Sequence, residues 1–172
     1  DKVYKNFEIK RGYRENDLLG GNDPYGASKA SAEFALNSYI KSFFQKNTKV
    51  RIGIARAGNV IGGGDWSSNR LIPDCIRSCS KSKRLKIRNP NSTRPWQHVL
   101  EAVYGYLIFA INLKKNKKLH GESFNFGPNS LVEKKVVTVI KQMKKHWADI
   151  NFSIEKKAGN FENKLLKLNS NK

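Results

Sequence analysis

Hydrophobic and polar positions along this chain recur at two periods, and the switches between them mark its elements. The opening stretch, "DKVYKNFEIKRGYRENDLLGGN", mixes charge, glycine and asparagine with no sustained period and reads as mostly loop after a strand end. Apolar residues then recur at helix spacing at Tyr25, Phe34, Ala35, Tyr39 and Phe43. Asp23 is a ready N-cap and Pro24 suits the first helical position, so a helix is predicted from there to about Gln45. In "KVRIGIAR" the period drops to two, with Val50, Ile52 and Ile54 on one face, as in a strand.

A glycine-rich loop, "AGNVIGGGDWSSN", comes next. Helix spacing resumes after Pro73, "RLKIRN" reads as a short strand, and "WQHV" as a short extended piece. The most apolar run, "VYGYLIFAINL", lies in a helix predicted over about Leu100 to Leu113 and is expected to be buried. "ESFNFG" is a strand closed by Gly127-Pro128. "VEKKVVTVIKQMKKHW" is an amphipathic helix with Val136, Val139, Ile140 and Met143 inward, and "INFSIEKK" one last strand. Helices alternating with strands predict an α/β architecture with a parallel-rich sheet. The tail, "NKLLKLNSNK", is expected to end without a packed terminal element, as in a chain that stops mid-domain.

The length, 172 residues, suits one domain with a real core. The formal charge of +19 changes the picture more. It fits a binder of nucleic acid or membrane surface, an enzyme for anionic substrates, or a general lysine bias. The lysines are dispersed, and the densest runs, "LKKNKKLH" and "KQMKKHW", follow or cover helical patterns, which favours a solvated face. A nucleic-acid-binding module would gather them on one face with interleaved aromatics. Cys75 and Cys79 are four apart, where a bridge would close only a tiny loop, so reduced thiols and a cytoplasmic setting are expected. His98, His120 and His146 are isolated, so no metal site is expected. No apolar run reaches the length of a membrane span.

Four places carry candidate chemistry. Tyr25 and Lys29 stand four apart, so both side chains leave one helix face. An ammonium beside a phenol favours the phenolate, which suits proton removal from an alcohol while a nicotinamide takes the hydride. In a lysine-rich chain the same spacing also arises by chance, and the spacing alone does not decide. Asn59 follows a strand, at the end where ligands bind in open α/β sheets. The triple glycine after it is displaced from the strand and separated from the next helix, so it fits a substrate-side loop better than a dinucleotide fingerprint. Arg94, in the turn-rich "NPNSTRPWQHV", has a guanidinium suited to a diphosphate. Asn125 alternates with Phe124 and Phe126, which leaves a satisfied core amide and a ligand contact equally open.

Together and in this order, "DKVY", "YGASK", "RAGNVIGGGDW", "RLIPD", "RPWQHV" and "FNFGPN" resemble the extended short-chain dehydrogenase/reductase family of nucleotide-sugar enzymes, from Asp1 to about Leu168. The combination of "RAGNVIGGGDW" with "RPWQHV" is similar to its CDP-glucose 4,6-dehydratase branch. In the dTDP-glucose dehydratases and UDP-sugar epimerases the first motif typically reads Thr-Asp-Glu or Ser-Ser, where this chain has Asp1-Lys2. The resemblance implies a partial Rossmann-type α/β fold, in which residues 1–60 end the dinucleotide-binding domain and 61–172 are mainly substrate-binding. It implies bound NAD, with Tyr25 taking the C4 hydroxyl proton and Lys29 holding the nicotinamide ribose. Asp1 would be the acid to the leaving C6 hydroxyl, and Lys2 would stand where the dTDP enzymes use a glutamate base. Asn59, Arg70, Arg94 and Asn125 would line the nucleotide-diphosphate pocket, and Arg88 stands where some relatives place an aromatic over the base. A nucleotide-diphosphate sugar, CDP-glucose, is then the expected partner, with a homo-oligomer formed through the helix that begins at Tyr25. A related epimerase is the alternative enzyme. The glycine fingerprint of the first βα turn is absent, so the chain is expected to be an internal fragment that neither binds NAD tightly nor turns over alone.

Overall fold

The computed structural model describes residues 2–45, 49–128, 134–155 and 164–172. Asp23 caps the first helix as expected: its Oδ1 accepts from Gly26 N at 3.0 Å, and α1 runs Pro24–Phe43. Strand β1 is Ile54–Ala57, shorter than the alternation in "KVRIGIAR" suggested. The glycine-rich stretch is not all loop, because Asn59–Ile61 forms β2. Helix α2, Leu71–Ser80, begins before Pro73 rather than after it. In the first turn a proline forfeits nothing, since the N–H it lacks has no intrahelical acceptor.

Strands β3 (Leu85–Ile87), β4 (Thr93–Arg94) and β5 (Trp96–His98) lead into α3, Val99–Lys115. The His98 ring caps α3, its Nδ1 accepting from Leu100 N at 3.2 Å. After a short 3-10 turn come β6 (Ser123–Phe126), β7 (Lys134–Lys135), α4 (Val136–His146) and β8 (Phe152–Ile154). Among the described residues β1 pairs with β6, β2 with β5 and β3 with β8, all parallel, while β4 and β7 are antiparallel. Each parallel pair is joined by a crossover that contains a helix, as parallel pairing requires.

Among the described residues two apolar clusters hold these pieces. Cys75, Leu85, Ile87, Ile140 and Ile150 join α2, β3, α4 and the approach to β8, with Val136 and Met143 of the predicted inward stripe packed against them. The other cluster contains Val3, Tyr4, Tyr13, Ala30, Leu166 and Leu168. This corrects the expectation for the tail. Leu166 and Leu168 are 1% and 2% exposed, and Tyr13 N donates to Lys167 O at 3.0 Å. Alternating apolar residues in "LLKL" had the period of a strand and found a strand-like partner in the opening segment.

The apolar helix is a second correction. In α3 only Ala102 is buried, while Leu100, Tyr104, Leu107 and Ile111 are each more than half exposed. Its packed side is aromatic: Phe109 lies 4.8 Å from Phe124, Tyr106 meets Phe126 edge-on at 5.2 Å, and the bare Cα of Gly105 admits the Phe126 ring. One face suffices to seat it on β6. The stripe that predicted α1 is likewise outside, with Phe34, Tyr39 and Phe43 exposed and Ala30, Glu33 and Ile40 buried instead.

Candidate functional site

A cleft of about 840 Å³ opens where α1, the C-terminal end of β1 and β2 come together. Lys2, Tyr25, Lys29, Asn59, Arg70 and Arg94 all line it, although they are spread over more than half the chain. Asp1 lies outside the described residues. Arg88 is exposed and does not line the cleft. Among the described residues no group of three or more His, Cys, Asp or Glu is placed to hold a metal ion, and no helix is long and apolar enough to cross a membrane.

Each cleft residue is placed by a local cause. Tyr25 and Lys29 occupy the first two turns of α1, with the Lys29 ammonium 5.3 Å from the centre of the Tyr25 ring. The cation therefore sits over the phenol it was expected to serve. Tyr25 is half exposed, which leaves its phenol side open to a ligand. Gly26, between them, lets the backbone of the opening segment approach: a Cβ there would lie 3.2 Å from Lys2 O. Lys2 is thus carried to the same turn as Tyr25. Asn59 begins β2, whose pairing with β5 sets it opposite Trp96. Its Oδ1 is buried and has no hydrogen-bond partner among the described residues. Such an acceptor is costly to leave unmet and stands open to a donor from a ligand. Arg94, 5% exposed on β4, donates from Nη1 to Thr93 O at 2.9 Å. Arg70 takes the N-cap position of α2 with extended backbone and lies at the exposed rim.

Asn125 is elsewhere. Its Oδ1 accepts from the Tyr4 hydroxyl at 2.6 Å, and its Nδ2 donates to Tyr13 O and Asn169 O, both at 2.9 Å. It is 6% exposed and does not line the cleft, and its contacts are those of a satisfied core amide. Three charged or polar residues were not singled out in the sequence: Tyr4, Glu33 and Arg56. Burial works against the charge of Arg56, but hydrogen bonds to Glu33 and Tyr4 outweigh it and hold the guanidinium above its ordinary value. Burial pushes the Tyr4 hydroxyl up, with its bond to Arg56 opposing. The signal was present, since Glu33 continues the Tyr25–Lys29 spacing by one more turn and Arg56 interrupts the apolar "IGIARAG".

A family model, that of the NAD dependent epimerase/dehydratase family, matches residues 2–127. The chain belongs to this family. It is 44% identical over 153 residues to a CDP-glucose 4,6-dehydratase of Salmonella typhimurium, covering 87% of this chain and 43% of that protein. It is 30% identical over 145 residues to a dTDP-D-glucose 4,6-dehydratase of Dictyostelium discoideum, covering 81% of this chain and 31% of that one. The chain therefore spans less than half the length of these relatives. Among solved structures it is similar to a UDP-glucuronic acid 4-epimerase from Bacillus cereus in complex with UDP-glucuronic acid and NAD. The TM-score is 0.80 at 22% identity, over 98% of this chain and 50% of that one. The fold is the Rossmann-type α/β fold of these enzymes, and the family is NAD-dependent.

The residues of the cleft fit one end of such a cofactor. Tyr25 with Lys29 offers a phenol and an ammonium side by side. A glycine fingerprint of the kind that cradles a pyrophosphate at a strand-to-helix turn does not occur in the sequence.

Proposed function

We propose that this chain supplies the acid–base and sugar-diphosphate side of an NAD-dependent nucleotide-sugar 4,6-dehydratase site, with CDP-glucose as substrate. The observation that carries the reading is the convergence of Lys2, Tyr25, Lys29, Asn59, Arg70 and Arg94 on one cleft. The 44% identity to a CDP-glucose dehydratase, against 30% to a dTDP-glucose one, supports the choice of nucleotide.

NAD, when bound, supplies the hydride acceptor and donor. Tyr25 Oη, as a phenolate beside the Lys29 ammonium, takes the proton of the sugar's C4 hydroxyl and is neutral once it has done so. Lys29 also has donors for a ribose hydroxyl of the cofactor. Asp1 gives a proton to the C6 hydroxyl, which departs as water. Lys2 stands where the dTDP enzymes use a glutamate base, the position that takes the C5 proton as the C5–C6 double bond forms. Arg70 and Arg94 neutralise the diphosphate, with the planar fork of each guanidinium matched to phosphate oxygens. Asn59 accepts from a sugar hydroxyl. Asn125 acts behind the cleft by holding Tyr4. The exposed Phe34, Tyr39 and Phe43 suit α1 to pairing with a second copy. The 172 residues alone, without a pyrophosphate cradle, neither hold NAD tightly nor turn over.

The test is loss of water from CDP-glucose, dTDP-glucose and UDP-glucose by the natural gene product that carries these residues, read by mass spectrometry. Dehydration fastest with CDP-glucose, and reduced at least about a hundredfold by Tyr25→Phe, is expected for a group acting in proton transfer. A product with its water retained and C4 inverted would replace dehydration by epimerisation. Turnover by the isolated 172 residues would sink the last claim.

A further inference from the structure

Beneath Tyr25 and Lys29 lies a charged group that the mechanism above does not use. Arg56 on β1 is 6% exposed and is held by four residues. Its Nε donates to Glu33 Oε2 at 3.0 Å and its Nη2 to Glu33 Oε1. Nη1 donates to the Tyr4 hydroxyl at 2.7 Å and to Glu15 O at 2.8 Å, and Nη2 reaches Ser123 Oγ at 3.2 Å. Glu33, also 6% exposed, is four residues beyond Lys29 on α1, as Lys29 is four beyond Tyr25. Phenol, ammonium and carboxylate thus rise along one helix face, and all three residues line the cleft.

A carboxylate four residues from a lysine on a helix is within reach of an ion pair with it. Here both oxygens of Glu33 are engaged by the guanidinium fork, and the Lys29 ammonium lies by the Tyr25 ring. We propose that Arg56 is a positioning residue: by occupying Glu33 it keeps that carboxylate from drawing Lys29 off Tyr25. The proposal rests on the reading of Tyr25 and Lys29 as the reacting pair. It explains why an arginine fills this strand position. A lysine, with one compact ammonium, cannot grip both carboxylate oxygens in the fork geometry. It also explains why the opening segment reaches the same guanidinium through Tyr4, since Lys2, two residues earlier, must be held in register with Tyr25.

The experiment uses the natural gene product that carries these residues, with rates expressed per folded molecule from thermal melts. Arg56→Met removes both guanidinium bonds to Glu33 and leaves its carboxylate, among the described residues, only the Ser123 hydroxyl, 3.2 Å from Oε1. The kcat is then expected to fall roughly tenfold or more, because small misplacements of reacting groups have large effects on rate. KM for the sugar nucleotide should stay within about twofold, since Arg70 and Arg94 are untouched. Arg56→Met with Glu33→Gln removes the competing carboxylate together with its holder and should return kcat to within about threefold of wild type. Arg56→Lys keeps the buried charge, in case Arg56→Met does not fold, and should still lose at least about threefold in kcat. A double variant as slow as Arg56→Met overturns the proposal, as does a loss confined to KM or to the folded fraction, or a wild-type kcat in Arg56→Lys. If the wild-type protein dehydrates no sugar nucleotide, the functional reading fails by itself. Carbon-labelled Tyr25 still reports the geometry: its ring resonance should move in Arg56→Met and return in the double variant, and a resonance that does not move overturns the positioning role.

Discussion

A Cβ built on Gly21 would stand 2.3 Å from both Ala27 N and Gly26 C, and 2.6 Å from Gly26 Cα. Non-bonded carbon contacts are comfortable from about 3.5 Å, so Gly21→Ala requires the chain before α1 and the first turn of α1 to part by about 1 Å. None of the three atoms belongs to a side chain that could rotate away. They belong to a capped helix start, in which Asp23 Oδ1 accepts from Gly26 N at 3.0 Å and Asp23 O from Ala27 N at 2.9 Å. Overpacking of this kind costs about 1–3 kcal/mol. The alanine recovers about 0.4–1 kcal/mol by restricting the unfolded chain, since the backbone φ at this position is open to an L residue. A net loss of up to about 2.6 kcal/mol follows, about 1.3 kcal/mol at the midpoints. Because the displaced turn carries Tyr25, the proposed role of that residue predicts that kcat of the natural gene product that carries these residues falls up to about a hundredfold. Urea unfolding followed by tryptophan fluorescence measures the first quantity and initial rates at saturating substrate the second. Gly26→Ala is the milder comparison: its contacts, Gly21 Cα at 3.1 Å and Lys2 O at 3.2 Å, ask the neighbours to give only a few tenths of an ångström. A helical alanine regains about 1 kcal/mol, so Gly26→Ala should lose less stability than Gly21→Ala. A Gly21→Ala protein within about 0.5 kcal/mol of wild type and with unchanged kcat would refute the argument.

Other perturbations follow from single contacts. Asp23→Ala removes the cap of α1 and should cost about 1 kcal/mol in urea unfolding, with Asp23→Asn close to wild type. Asp17 is held below the usual carboxylate range, first by its hydrogen bond from Arg11 and also by the backbone N–H of Arg14. A depressed carboxyl stabilises the fold above its unfolded value and loses that contribution as pH falls below about 4. Asp17→Asn should flatten this part of the stability–pH curve, and an unchanged slope would contradict the assignment. Burial pushes the Cys75 thiol up to about 11, so it should resist iodoacetamide in the native protein and react once unfolded in urea. Equal labelling rates in the two states would show that the α2 face opens readily.

Much of the site was legible because its landmarks are local. Asp23-Pro24 sets the start of α1 by capping and by a fixed φ, and that start puts Tyr25 and Lys29 on one face wherever the helix goes. The short strands at "RLKIRN", "WQHV" and "ESFNFG" were legible for the same reason, as each is bounded by residues that end a period. Whether Asn125 meets a ligand or the core depended on partners more than a hundred residues away, Tyr4 and Tyr13, and no spacing near Asn125 reports them. The apolar run of α3 reads as buried because hydrophobicity is a property of the segment, whereas burial needs a partner on each face.

By itself, then, the sequence determined the order of the helices and of most strands, the capped helix and the candidate pair it presents. Those follow from short-range terms: backbone dihedrals, caps and side-chain periods. Only the tertiary structure decided that Lys2, Asn59, Arg70 and Arg94 share a cleft with that pair, and that the tail closes the core with Tyr13. It alone decided that Glu33 spends its charge on Arg56, because an ion pair between α1 and β1 exists only once parallel pairing of β1 with β6 has placed that arginine under the helix.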